Sequence, residues 1–473
     1  MATHNDPAMS AIDQVVAKAA AASTFWGESS GQTRAALLRG LAAALESNQA
    51  ELVAIADRES GLGDGRLNGE VARTAFQLRG FADQVEAGVP YRYVDDSAVQ
   101  GAPPAGRPRL TRVQRPLGPV AMFSASNFPF AFSVLGGDTA SALAAGCPVI
   151  VKSHSGHPDL SRAVYELARR VVAEQQLPEG VLTLIDGASR GAGGYLVQHS
   201  QIAAVAFTGS YQGGTALWKL ANERARPIPF FGELGSINPL IALDAALEQD
   251  GDNLAKTLAA SITLGCGQFC TSPGVIVVQA GAISECFISS LAEALRPIKT
   301  HRMLTPSMKK GFDDASRTVA AHAKAVFTAD ADGEGPAPRL FSVQANEFIA
   351  NAHLREEMFG PAAVVVSATS VEQIAEVLAS IGGTLTTTIW GANEPSDANA
   401  ALVRAAQDVS GRVLFSGVPT GVAVCAAQQH GGPWPSSTAP QTTSVGYAAI
   451  ERFLRPVALQ DAPAWLLSAK GVA

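Results

Sequence analysis

The sequence predicts an α/β protein built on a buried parallel sheet. Between residues 120 and 222, short and nearly continuous apolar runs alternate with longer segments of helical spacing. Strands covered by crossover helices on both faces read this way. A second observation is compositional: 45 glycines and Ala-rich helical runs suit close-packed turns between sheet and helix. The third is size. A chain of 473 residues with 47% hydrophobic content exceeds one ordinary domain and can fill large cores, so two or three domains are expected.

Composition also excludes. A 16% share of charged residues argues against disorder, and a net charge of −7 gives no reason to expect nucleic acid or an anionic membrane as partner. Five cysteines (Cys147, Cys266, Cys270, Cys286, Cys425) are an odd number, and only Cys266 and Cys270 are close in sequence. No histidine flanks them at zinc-ligand spacing, so no metal is expected. Reduced thiols in a cytoplasmic protein are the simpler reading. The first ten residues are polar and lack an apolar core of signal-peptide length. No uncharged apolar run has membrane-span character.

The elements follow in order. Residues 12–22 and 34–57 read as helices, with Leu37, Leu38, Leu41, Leu45, Leu52 and Ile55 at roughly helical spacing. A third helix is expected over 69–85, and this opening block is expected to pack against a later sheet. Pro103, Pro104 and Pro108 mark an irregular connection, after which residues 110–114 alternate as a strand would. Strands at 120–123, 148–151, 181–185 and 203–207 then alternate with helices at 132–145, 160–174, 191–199 and 213–222. A third segment holds strands at 239–243, 275–278 and 362–366, with helices at 254–262 and 371–380. Residues 331–339 read as a charged loop. The tail is Ser/Thr/Pro-rich before a helical stretch and a final extended run at 455–460.

Ligands of parallel sheets bind beyond the carboxyl ends of the strands, so the residues there bear the chemistry. The first strand is followed by Ser124-Ala125-Ser126-Asn127-Phe128-Pro129, the second by Lys152-Ser153-His154-Ser155. The last is followed by Thr208-Gly209-Ser210-Tyr211-Gln212-Gly213, a glycine-framed entry into a helix where backbone N–H groups favour phosphate. Glu233 stands between Phe230-Phe231-Gly232 and Leu234-Gly235. A buried carboxylate there would be costly unless paired or functional; a surface loop is the alternative. The stretch Gly265-Cys266-Gly267-Gln268-Phe269-Cys270-Thr271-Ser272-Pro273-Gly274 puts a thiol on a tight turn, where sulfur and backbone N–H can both face a cleft. Taken alone it is weak, since most intracellular cysteines are small buried hydrophobes.

These motifs in this order resemble the NAD(P)-dependent aldehyde dehydrogenase superfamily, from about Arg115 to the C-terminus. The glutamate motif stands as Glu233-Leu234-Gly235-Ser236, with Ser where a second Gly is common. The cysteine motif stands as Gly267-Gln268-Phe269-Cys270, and a further one as Glu356-Glu357-Met358-Phe359-Gly360-Pro361. The resemblance implies a Rossmann-like dinucleotide-binding domain (1–97 and 115–235), an α/β catalytic domain (236–445) and a small β oligomerisation arm (98–114 and 446–473) that makes a homodimer or homotetramer. It implies Cys270 as nucleophile toward a small-molecule aldehyde. Asn127 and the Cys270 N–H would hold the oxyanion, and Glu233 would be the base for thioester hydrolysis. Lys152, Gly209, Ser210, Gly213, Glu357 and Phe359 would hold the cofactor. The tail departs from common members: it reads His430-Gly431-Gly432-Pro433-Trp434-Pro435, then Thr442-Thr443-Ser444-Val445-Gly446 and Ile450-Glu451-Arg452-Phe453-Leu454-Arg455-Pro456. That looks like the subgroup of α-ketoglutaric semialdehyde (2,5-dioxopentanoate) dehydrogenases and certain long-chain aldehyde dehydrogenases.

Three alternatives weigh against this. A CoA-acylating member generally lacks the glutamate present here as Glu233. A medium- or long-chain aldehyde dehydrogenase shares the tail pattern. A cysteine hydrolase would pair Cys270 with a histidine. His430 alone has a suggestive Gly-rich setting, and the cofactor motifs would then be unexplained. Cys266 is expected to be packing, or else a disulfide partner silencing Cys270. Cofactor choice turns on Ser155, three residues after Lys152, where strongly NAD-specific members carry an acid. A small neutral residue leaves room for a 2′-phosphate, and His154 or His157 would add charge if protonated. NADP is therefore expected to be preferred, with NAD a usable second cofactor.

Overall fold

A computed structural model describes residues 7–187, 190–328 and 334–469. It contains three sheets. The first is five-stranded and wholly parallel, in the order Leu182–Ile185, Val149–Lys152, Val120–Phe123, Ala204–Thr208, Phe230–Glu233. Val120, Ala121 and Met122 of its central strand are buried, as the continuous apolar run requires. The opening helices Pro7–Glu28, Gly31–Ser47, Gln49–Ser60 and Asp64–Glu86 contribute Trp26, Leu38, Leu41, Leu78 and Phe81 to a core shared with this sheet.

The second sheet has seven strands, in the order Lys324–Thr328, Arg339–Gln344, Ala362–Ala368, Val275–Gln279, Leu240–Ala242, Thr384–Trp390, Ser410–Leu414. Its first pair is antiparallel and the rest are parallel. The third is a small antiparallel sheet in which Leu110–Pro116 lies between Tyr93–Asp96 and Leu454–Gln460. Both outer strands of this sheet carry mostly exposed side chains.

Several elements differ from the sequence reading. The helix expected over 34–57 is two, because Asn48 leaves helical geometry (φ −114°, ψ 14°). The helix expected from 132 begins at Gly137, since residues 128–136 form turns that serve the site. The strand Thr384–Trp390 had no strand-like signature, because Thr384, Thr386, Thr387 and Thr388 read as polar. All seven of its residues are buried. The hydroxyls of Thr384 and Thr386 meet Ser236 and Asn238, so this strand reaches the cysteine loop. The expected loop at 331–339 lies partly outside the described residues and ends in a strand at Arg339.

Candidate active site

The turn Leu264–Gly267 brings the chain from a long helix, Asp244–Thr263, to the cysteine. Gly265, Cys266 and Gly267 take left-handed conformations (φ 56°, 60° and 67°). Glycine is required at 267 by space as well. A Cβ there would come within 2.2 Å of the Gly360 carbonyl carbon, so the loop is pressed onto the Glu356–Pro361 motif. Cys266 is buried, and burial pushes its thiol up to about 11, which leaves it a packing group. Asn238, which the sequence did not flag, locks the far side of the loop. Its Nδ2 donates to the carbonyls of Cys270 (2.8 Å) and Ser272 (2.9 Å), while its Oδ1 accepts from Ser236 Oγ (2.8 Å). Ser236, at the position where a second glycine is common, thus orients the residue that fixes the loop.

Three side chains from remote parts of the chain meet here. Glu233 ends an edge strand of the five-stranded sheet and is buried, as is His430. His430 Nε2 donates to Glu233 Oε1 at 3.1 Å and lies 3.7 Å from Cys270 Sγ. Ser444 Oγ donates to Glu233 Oε2 at 2.5 Å. The tail motif is therefore wrapped over the glutamate strand: His430 N donates to Thr443 Oγ1 (2.8 Å), and Leu234 N to Ser436 O (2.8 Å). Sequence reasoning considered His430 only as the partner of a hydrolase. Its placement depends on contacts across about two hundred residues, and the Gly-rich setting was the one local signal.

Burial alone would raise the Glu233 carboxyl. The facing His430 and hydrogen bonds from His430, Ser444 and Cys270 outweigh it and hold it below the ordinary carboxylate range. Cys270 is pushed well up by burial and then by the negative charges of Glu233 and Glu357. The sulfur is thus a thiol at neutral pH, with a proton acceptor in contact. Glu233, Cys270 and His430 also form the one group of three potential metal ligands found among the described residues, with ligand atoms within 4.8 Å.

Asn127 arrives from the other side. Its Nδ2 donates to Gln268 O at 3.0 Å, two residues before the cysteine. Arg66 donates to the Asn127 carbonyl and is sandwiched by Phe128 (4.9 Å) and Phe269 (4.6 Å). Glu70, paired with Arg66 at 3.2 Å, accepts from Phe130 N at 3.2 Å. These contacts explain why 128–136 is not helical.

Of the remaining predicted residues, Lys152 ends a strand of the five-stranded sheet, and Ser155, Gly209, Ser210 and Gly213 follow its strands. Glu357 and Phe359 precede the strand Ala362–Ala368 of the seven-stranded one. Gly209 N donates to Glu233 O (3.1 Å), joining the glycine turn to the glutamate. Ser210 caps the helix Tyr211–Asn222, accepting from Gly213 N at 3.2 Å. Lys152 Nζ donates to Ser153 O at 2.7 Å, and burial lowers its pKa despite the nearby Asp186. Ser155 is exposed. The charge expected from the neighbouring histidines is not there. His154 is pushed down to about 4 by burial, and then by His157 and Lys152. His157 is buried and also lowered by desolvation, with its ring bonded to Ala125 O (2.9 Å) and Ser161 Oγ (3.1 Å). Glu357 Oε1 accepts from Ser236 N at 3.3 Å, and burial pushes its carboxyl up to about 7. Phe359 lines a small cavity with Glu357, Ser236 and Gly267.

Comparison with known proteins gives the family. Residues 1–432 match the profile of the Aldehyde dehydrogenase family. The chain is 42% identical over 449 residues to "Alpha-ketoglutaric semialdehyde dehydrogenase 2" of Azospirillum brasilense, covering 92% of this chain and 85% of that one. It is 37% identical over 463 residues to "Alpha-ketoglutaric semialdehyde dehydrogenase" of Acinetobacter baylyi, covering 96% and 87%. Its fold is shared with the NAD-bound 1-pyrroline-5-carboxylate dehydrogenase from Thermus (TM-score 0.79, 21% identity, 95% and 85% covered). It is also shared with aldehyde dehydrogenase 21 of Physcomitrella patens (TM-score 0.80, 21% identity, 96% and 92% covered). With the cysteine and glutamate brought together by these sheets and a family match over nearly the whole length, the chain belongs to the aldehyde dehydrogenase family and is an oxidoreductase acting on aldehydes.

Proposed function

We propose that this enzyme oxidises α-ketoglutaric semialdehyde, or a closely similar semialdehyde, to the carboxylate, with NADP preferred over NAD. The observation that carries the mechanism is the shared contact of Cys270, His430 and Glu233. The relatives' names support the substrate over a fatty aldehyde or CoA acylation. Cys270 passes its proton to the Glu233–His430 pair as sulfur attacks the carbonyl. The oxyanion is met by the Cys270 N–H and by the Asn127 amide, which turns from Gln268 O. A bound nicotinamide cofactor supplies the hydride acceptor. After that first proton is lost to solvent, the same Glu233–His430 pair takes a proton from the water that opens the thioester and returns it to the departing Cys270 sulfur. His430, held by Thr443 and touching both partners, positions Glu233 and shares the proton.

The residues present suit such a cofactor. The Glu357 carboxylate has one backbone donor and is raised to about 7, so it calls for the kind of donors ribose hydroxyls supply. The Ser210-capped helix N-terminus favours a pyrophosphate, with Gly209 and Gly213 keeping its approach open. Phe359 borders the nicotinamide end. Lys152 and the small, exposed Ser155 accommodate a 2′-phosphate without help from His154 or His157. Asp186, the acid that acts on Lys152, is paired with Arg162 at 2.6 Å. The reading includes a homodimer or homotetramer joined through the antiparallel sheet, whose edge exposes Tyr93 and Val94. It places the enzyme in the cytoplasm, where the thiol stays reduced. Among the described residues no helix is long and apolar enough to cross a membrane.

Mixing the protein with NADP or NAD and a panel of aldehydes, with and without CoA, tests the proposal by reduced-cofactor absorbance. Highest kcat/KM with the semialdehyde and NADP, independent of CoA, is expected. A CoA requirement, or a preference for fatty aldehydes, would overturn it.

A further inference from the structure

Two arginines beside the site have no carboxylate partner among the described residues. Arg73 lies on the helix Asp64–Glu86, seven residues beyond Arg66 and so on the same face. That face is the one packed on Phe128, Phe130 and Phe269 through Arg66 and Glu70. Arg73 Nη1 donates to Val422 O at 2.5 Å, and the Val422 side chain packs with Phe128, Phe132 and Val445. Arg412 comes from a remote part of the chain, the edge strand Ser410–Leu414. Its Nη1 and Nη2 donate to Gly421 O (2.7 Å) and Pro419 O (2.8 Å). The neighbouring Gly411 is pressed against Gly431, the residue after His430: a Cβ at 411 would lie 2.3 Å from Gly431 O. The two guanidiniums therefore hold the same segment, 419–422, beside the elements that carry Phe128 and His430.

Each of them leaves its Nε buried with no hydrogen-bond partner. Neither makes a salt bridge among the described residues, although Arg66, on the same face as Arg73, is paired with Glu70. Burial lowers the pKa of both, and both lie within electrostatic reach of the Cys270 sulfur. Half-buried cations without a paired carboxylate are costly, and an arriving carboxylate with several acceptor sites removes that cost.

We infer that Arg73 and Arg412 together form the subsite for the distal carboxylate of an ω-oxo carboxylate substrate, holding it while the aldehyde end reaches Cys270. The inference rests on the semialdehyde reading above and names the residues that would enforce it. Arg66 is excluded from this role by its Glu70 pairing and its contact with Asn127, which make it a positioning residue for the oxyanion side.

The test compares glutarate semialdehyde with pentanal, and succinate semialdehyde with butanal, in the wild type and in Arg73→Met, Arg412→Met, Arg73→Lys and Arg412→Lys. Each Met variant is expected to lose about 10- to 100-fold in kcat/KM for the anionic member, mainly through KM. The loss for the neutral member should be no more than about threefold, and the Lys variants should recover part of the anionic activity. A second measurement needs no variant: pentanoate should inhibit wild-type pentanal oxidation competitively, and pentanol of equal length should not. Equal losses for both members of a pair, or no inhibition by pentanoate, would overturn the subsite. A wild type that prefers pentanal to glutarate semialdehyde would overturn the semialdehyde reading itself. A wild type that prefers the anionic substrates, with Met variants that lose both alike, would overturn the subsite alone.

Discussion

Glu233 and Glu357 are two carboxylates set into protein around one sulfur, and the fold treats them in opposite ways. Glu233 is met by His430 and Ser444 and is held ionised below its ordinary range. Glu357 has a single backbone donor and is raised to about 7. Burial acts on both alike; the number of donors decides the sign. A carboxylate with its partners built in stays ionised at neutral pH. One left without partners is ready for a ligand that brings its own donors. Both charges raise Cys270, so the sulfur stays protonated until a proton acceptor is used.

The contrast fails outright if the Glu233 region is not built around Cys270. Cys270→Ala should reduce dehydrogenase turnover below about one ten-thousandth of wild type while cofactor binding, followed by fluorescence titration, is kept. Residual turnover near wild type would move the nucleophile elsewhere.

Within the Glu233 region, Glu233→Gln should still release about one equivalent of reduced cofactor and then stall, with steady-state rate down by about 10²–10⁴. Rapid-mixing absorbance distinguishes burst from turnover, and an undiminished steady state would assign the water to another base. His430→Gln keeps a hydrogen-bonding side chain but cannot take a proton. It should lower both burst and steady-state rates, by about 10–10³-fold, and move the acid limb of the pH–rate profile. An unchanged profile would leave His430 a purely structural support.

The sign of the contrast is read from stability. Glu357, whose ordinary value is 4.5, is raised in the fold to about 7. Stability is therefore full below about pH 4.5 and is lost as pH rises through 7, by about 3 kcal/mol at most. Glu357→Gln removes this loss, so the Tm advantage of the variant over wild type should grow from pH 5 to pH 8. Glu233 is lowered, so its contribution is present above its ordinary value and fades as pH falls. Glu233→Gln should accordingly cost stability near neutral pH, and less in acid. Parallel Tm–pH curves for the two variants would contradict the assignment.

The smallest expected effect lies furthest from the sulfur. Ser155→Glu should reduce the NADP-to-NAD ratio of kcat/KM by about one to two decades, through one added like charge facing a 2′-phosphate. A wild-type ratio already well in favour of NAD would show that Ser155 does not set the choice.

The sequence by itself determined the alternating strands, the residues at their carboxyl ends and the turns around Cys270. These follow from backbone demands that act locally: apolar runs for buried strands, and glycine where φ is positive or Gly360 presses close. Asn127, Glu233 and Cys270 were legible because each sits at such a local landmark. Only the tertiary structure decided that His430 joins Glu233 and Cys270, that Asn238 holds the loop, and that a threonine-rich run is a buried strand. It also decided that His154 and His157 are uncharged, and that Arg73 and Arg412 hold the same segment, 419–422. These properties depend on which remote side chains exclude water and supply hydrogen bonds, and burial and pairing set charge only after the chain has packed.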